Sequence, residues 1–127
     1  MDEVGKRAIV VDDSRATRAI LVRILAELGF ESVQAAHGQE ALDVLAANPD
    51  VGLALVDWNM PVMDGLEFVK AVRADHASSG IKIIMVTTEG DTDHLIRALE
   101  AGADEYAMKP FTPAVIREKL ELLGVTL

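Results

Sequence analysis

The sequence predicts a doubly wound α/β domain, a five-stranded parallel sheet with helices on both faces. Three observations lead there. Short apolar runs alternate five times with longer amphipathic segments. The runs are nearly continuous in apolar residues, as strands covered on both sides are. No linker or low-complexity segment breaks the alternation, and helices between successive strands require parallel pairing through right-handed crossovers. At 127 residues the chain is expected to form one domain, 1–127, with its own core.

Strand 1 is the run Ala8–Val11. Ser14 is placed to cap helix 1, where Leu21, Ile24, Leu25 and Leu28 keep the i, i+3, i+4, i+7 spacing of a buried stripe. Gly29 stands at its C′ position. Ser32 to Ala36 reads as strand 2, and Gly38 to Asn48 as helix 2, closed by Pro49. Strand 3, Val51–Val56, leads through Trp58 and Pro61 to Asp64 and Glu67, which have capping-box spacing for helix 3. Strand 4 is Ile81–Val86. Asp91 or Thr92 opens helix 4, which stops at Gly102. Strand 5, Tyr106–Met108, precedes Lys109 and Pro110, and Thr112 with Pro113 supplies an N-cap and N1 pair for helix 5.

Four strands deliver polar groups at their C-terminal ends: Asp12 and Asp13, then Asp57, then Thr87 and Thr88, then Lys109. In an open parallel sheet those ends converge on one crevice. Three carboxylates within about 4–6 Å repel by several kcal/mol at an effective dielectric of about 20. A divalent cation relieves that repulsion. Magnesium, which prefers oxygen ligands and bridges carboxylates to phosphate, suits the donor set. No histidine or thiolate is placed to favour zinc. Asp12 and Asp13 have a plainer use as helix-1 caps; the matching acid after strand 3 turns the reading toward a metal site. A carboxylate can also act as a nucleophile and form an acyl phosphate, and Asp57 is best placed for it. Lys109 is a compact cation for a phosphoryl oxygen, or a partner for Asp57 when none is bound. A Lys-Pro bond can be cis and so fix where that lysine points. Thr87 offers a hydroxyl.

Composition narrows the classes. Net charge is −9, which argues against a nucleic-acid groove. Cysteine is absent, which excludes disulfide scaffolds, thiolate zinc sites and cysteine catalysis. The charged N-terminus is no signal peptide and no stretch is apolar enough to span a bilayer, so a cytoplasmic protein without membrane contact is expected.

Asp12-Asp13, the Asp57 to Gly65 segment, Met85 to Thr87 and Tyr106 to Phe111 together resemble the receiver domain of bacterial two-component response regulators. Within that family the chain is most similar to the stand-alone chemotaxis regulators. The resemblance implies a flavodoxin-like (βα)5 fold with strand order 2-1-3-4-5. It implies that Asp57 accepts a phosphoryl group from a phosphohistidine on a sensor histidine kinase. Asp13 and Asp57 would bind Mg2+ directly, with Mn2+ an acceptable substitute; Asp12 would act largely through water, and the Asn59 backbone carbonyl would complete the set. Lys109 and Thr87 would bind phosphoryl oxygens, while Asn59 and Glu89 would tune dephosphorylation.

In this family Thr87 turning toward the phosphate lets Tyr106 rotate inward, a two-state element linking site and surface. Leu95, Leu99, Tyr106 and Lys119 would then share a partner face on helix 4, strand 5 and helix 5. Helix 4 also carries an apolar arc wider than one buried stripe needs. With Met1 at its start and a helix ending near Gly124, the chain is expected to be an intact, monomeric signalling protein. It would be no enzyme beyond self-phosphotransfer and autodephosphorylation, and its output would be a protein contact, with the flagellar motor switch as the expected target.

Rival readings are a phosphate sink or relay intermediate, a haloacid-dehalogenase-type phosphatase, and a flavin-binding module. The phosphatase needs a second acid where Asn59 stands, and the flavin module a hydroxyl-rich loop where Asp12-Asp13 stands. His37, His76 and His94 share no ligand spacing and read as surface residues. Trp58 reads as loop packing, and Met60, Met63, Met85 and Met108 as fillers.

Overall fold

The computed structural model describes residues 6–75, 80–88, 92–109 and 111–125, with backbone alone at 87, 88 and 92. The elements run β1 (Arg7–Val11), α1 (Arg15–Glu27), β2 (Glu31–Ala35), α2 (Gly38–Ala47) and β3 (Leu53–Asp57). They continue with α3 (Gly65–Ala74), β4 (Lys82–Thr88), α4 (Thr92–Ala101), β5 (Glu105–Lys109) and α5 (Pro113–Leu122). The five strands form one sheet in the order β2-β1-β3-β4-β5, and every pairing is parallel. The expected architecture and order are therefore present. β3 begins two residues later than its apolar run, and its last residue is Asp57 itself.

Alternation along the strands sends side chains to two separate cores. Ile9, Val11, Ala54, Val56, Ile83 and Met85 meet Ala41 and Leu45 of α2, Phe68, Val69 and Val72 of α3, and Ala98 of α4. Ala8, Val10, Leu53, Leu55, Ile84 and Val86 meet Leu21, Ile24 and Leu25 of α1 and Ile116 and Leu120 of α5. Each fully buried leucine, isoleucine or phenylalanine stabilises the fold by about 1.5–3 kcal/mol. α4 has no such anchor. Among its described side chains only Ala98 is fully buried, a methyl group that contributes about 0.8 kcal/mol. Of the five helices it has the fewest fully buried described side chains.

The helix ends follow local chemistry. Ser14 accepts from the Thr17 N–H at 3.2 Å. Asp64 and Glu67 close a reciprocal capping box, and Thr112 caps α5 with Pro113 behind it. Gly29 ends α1 at φ +95°, a conformation that favours glycine. His37, read from sequence as a surface residue, is half-buried and caps α2, its Nδ1 accepting from the Glu40 N–H at 3.2 Å. Among the described residues no helix is long and apolar enough to cross a membrane.

Candidate functional site

Sheet register assembles the site. Val11 pairs with Val56, so the next residues on β1 and β3, Asp12 and Asp57, leave the sheet side by side. Asp57 in turn lies opposite Val86, Val86 opposite Ala107, and Thr88 opposite Lys109. Acids therefore leave two central strands and the ammonium leaves the edge strand, all at the same end of the sheet.

Among the described residues Asp12 and Asp57 are the two buried charged ones, 1% and 6% exposed, whereas Asp13 is exposed. One carboxylate oxygen from each of the three lies within 4.8 Å of the others. The Asp12 backbone is fixed from two sides. Its N–H donates to the Ala35 carbonyl at 3.1 Å, and its own carbonyl accepts from the Arg18 guanidinium at 2.6 Å. Its Oδ1 accepts from the Ser14 N–H at 2.8 Å, so Asp12 does serve the start of α1, yet Oδ2 still faces the cluster. Lys109 Nζ stands 3.4 Å from Asp12 Oδ2 and 3.3 Å from Asp57 Oδ1. Charge-assisted bonds normally close to about 2.7–2.9 Å. The ammonium is shared between two carboxylates and tight to neither.

That sharing leaves the cluster undercompensated. Burial pushes the Asp57 carboxyl above its ordinary value of 3.8, the neighbouring Asp12 charge pushes the same way, and Lys109 only partly offsets them. The donor set is all hard oxygen, with an open side at exposed Asp13. These residues fit a hard divalent cation better than they fit one another.

The backbone behind Asp57 is locked by α3. A Cβ on Gly65 would come within 2.6 Å of the Asp57 carbonyl oxygen and 2.9 Å of Trp58 Cα, so only glycine permits this approach. The Gly65 N–H donates to the Trp58 carbonyl at 2.9 Å. Between them, Met63 N–H meets the Pro61 carbonyl at 2.7 Å around Val62, which holds φ +69° and is 78% exposed. A β-branched residue is strained there, and such strain clusters at functional loops. Asn59 sits exposed in this loop, two residues past Asp57.

Two expectations are corrected. His94 is only partly exposed: it is half-buried and stacks on Trp58, ring centroids 4.2 Å apart and planes within 9°. Two flat rings at that distance bury each other's faces, and no periodicity or spacing in the sequence foretells it. Met108 is no core filler, being 36% exposed on the edge strand. The other three methionines do pack inward, Met60 and Met85 fully and Met63 partly.

The remaining candidates divide. Tyr106 is half-buried, with Lys119 Nζ 4.5 Å above its ring and 3.5 Å from Glu105 Oε1, so β5 and α5 share one polar-aromatic contact. Leu99 is 39% exposed and Leu95 half-buried on α4. The backbone of Thr87 is in β4, opposite Met108. Its side chain, and Glu89, Asp91, Pro110 and His76, lie outside the described residues.

A parallel sheet of this order, with an acid cluster and an ammonium at its carboxyl edge, defines a phosphorelay receiver. Residues 8–121 match the response regulator receiver domain, and the chain belongs to that family. It is 50% identical over 118 residues to chemotaxis protein CheY1 of Helicobacter pylori, covering 92% of this chain and 95% of that one. It is 51% identical over 116 residues to a chemotaxis protein CheY homolog of Campylobacter jejuni, covering 91% and 89%. Among solved structures, chemotaxis protein CheY4 of Vibrio cholerae superposes with TM-score 0.84 at 34% identity, covering 91% of this chain and 96% of that one. A putative response regulator of Chloroflexus aurantiacus superposes with TM-score 0.87 at 30% identity, covering 94% and 98%. Members of the family take phosphate from a histidine kinase, bind downstream targets and generally depend on magnesium. These matches do not favour the phosphate-sink, relay-intermediate or phosphatase readings.

Proposed function

We propose that Asp57 is the phosphoacceptor of a chemotaxis response regulator whose receiver domain is residues 1–127. The observation that carries this is a desolvated carboxylate at the end of β3, with a second buried acid beside it and an ammonium 3.3 Å away. An Asp57 oxygen attacks the phosphorus of a phosphohistidine. The new O–P bond forms as the N–P bond breaks, and the imidazole leaves with the electron pair. Little else is required of the acceptor, because phosphoryl transfer is dominated by positioning and charge neutralisation. Lys109, already between Asp12 and Asp57, moves its charge onto a phosphoryl oxygen, and the Thr87 hydroxyl binds another. Asp12, Asp13, Asp57 and the Asn59 carbonyl would hold Mg2+, or Mn2+ in its place, which supplies the positive charge the cluster lacks.

The same reading assigns dephosphorylation tuning to Asn59 and Glu89, and switching to Thr87 with Tyr106. The Lys119 ammonium over the Tyr106 ring holds that ring in place before phosphorylation. Output is a protein contact on the face carrying Leu95, Leu99, Tyr106 and Lys119; the relatives are chemotaxis proteins, and a flagellar motor component is the target this reading assigns. The protein works as a cytoplasmic monomer and carries no activity beyond its own phosphorylation and dephosphorylation.

Acetyl phosphate with magnesium tests the acceptor directly. The wild-type chain takes label as an acyl phosphate; Asp57→Asn takes none while keeping its circular dichroism spectrum. Label persisting in that variant would remove Asp57 from the role.

A further inference from the structure

We infer that His94 is a positioning residue that couples the phosphoacceptor loop to α4 through its stack on Trp58, by a route that does not run through Thr87 or Tyr106. The inference rests on Asp57 being the phosphoacceptor.

Trp58 follows Asp57 directly. Its backbone is pinned by the Gly65 N–H and its ring is buried, so a shift of the Asp57–Asn59 segment carries the indole with it. The face of that indole lies 4.2 Å from the His94 imidazole, with planes 9° apart. Parallel flat rings slide or tilt together, because separating them exposes both faces to water. His94 is in the first turn of α4. Beyond it the helix has one fully buried described side chain, the small Ala98, while Ile96 and Leu99 are exposed. An element with so little buried surface is repositioned at low cost. The stack is therefore one grip on the N-terminal end of the helix, and it is held by the residue next to the acceptor.

Spatial adjacency alone does not establish coupling, so the test must measure transmission. Amide resonances of Leu95 to Leu99 are recorded without and with magnesium and beryllofluoride, a phosphoryl mimic, in wild type, His94→Phe and His94→Ala. Trp58 is the chain's one tryptophan, so its emission reports the stack and the loading of the site in the same samples. In wild type the α4 amides shift on loading. His94→Phe keeps a flat ring and retains most of that shift. His94→Ala retains less than half, has altered Trp58 emission before loading, and still takes label from acetyl phosphate within twofold of the wild-type rate. Where His94→Ala does not fold, His94→Leu, bulky but without a flat face, replaces it. Equal α4 shifts in all three proteins would overturn the inference. So would equal losses in the phenylalanine and alanine variants, since the flat ring would then carry nothing. Wild type failing both to shift and to take label would overturn the acceptor reading, and this inference with it.

Discussion

Asp57 is a carboxyl group whose ionised form the fold disfavours. Its carboxyl is raised first by burial and then by Asp12, with Lys109 opposing. A carboxyl whose folded value lies above its unfolded value of 3.8 binds its proton more tightly in the native state. Its stabilising contribution is complete below 3.8 and is lost as pH rises through the folded value. At neutral pH, without metal, that contribution is diminished and Asp57 weakens the fold relative to acid. Asp57→Asn removes the charge and keeps the shape. In EDTA at pH 7 the variant is expected to melt above the wild type, and the gap to close as pH falls toward 4. Thermal melts across that range check it. A wild type that melts higher at pH 7 would mean the Lys109 contacts outweigh burial.

Elements fix where that residue stands, and the junction of β3 with α3 is the tightest of them. Gly65→Ala drives a methyl against the Asp57 carbonyl oxygen and Trp58 Cα, both backbone atoms that cannot swing aside. Overpacking of this kind costs about 1–3 kcal/mol. The displaced Asp57 should also bind magnesium less tightly. Gly80→Ala is the control, since its Cβ would meet nothing within 4 Å. Urea denaturation separates the two; equal stabilities would show that the loop relaxes freely. Contacts of this sort mark the boundary of what the sequence discloses. Ser14, the Asp64–Glu67 box and Thr112-Pro113 were legible because a cap is made by residues three apart. The acids and Lys109 were legible as a group because each ends an apolar run, and parallel strands align their ends. The His94–Trp58 stack was not, because it joins residues far apart in sequence and depends on how α4 lies against the loop that follows Asp57. Nor was the Met108 exposure. It lies two residues past Tyr106 on the same side of the edge strand, where little of the thinly packed α4 covers it.

At the scale of the whole molecule, two apolar cores flank one sheet and the principal buried charge sits at its carboxyl edge. With all three acids ionised, that edge carries three negative charges against the one positive charge of Lys109, a local balance of −2. The chain as a whole carries −9, so its diffuse field also draws cations. These two attractions predict different things. Diffuse attraction is screened by any salt within about 10 Å at 0.1 M, and it survives the loss of one acid. A bound Mg2+ stabilises by mass action, about 2.7 kcal/mol at a hundred times its dissociation constant, whatever monovalent salt is present. We expect magnesium to raise the melting temperature in 0.15 M KCl, EDTA to reverse the gain, and KCl at matched ionic strength to give much less. Asp13→Asn removes the exposed ligand without disturbing the buried pair. It should leave the metal-free melting temperature nearly unchanged and weaken the magnesium dependence at least tenfold. If Asp13→Asn gains as much from magnesium as the wild type does, the ion acts on the whole charged surface, and Asp13 is no ligand.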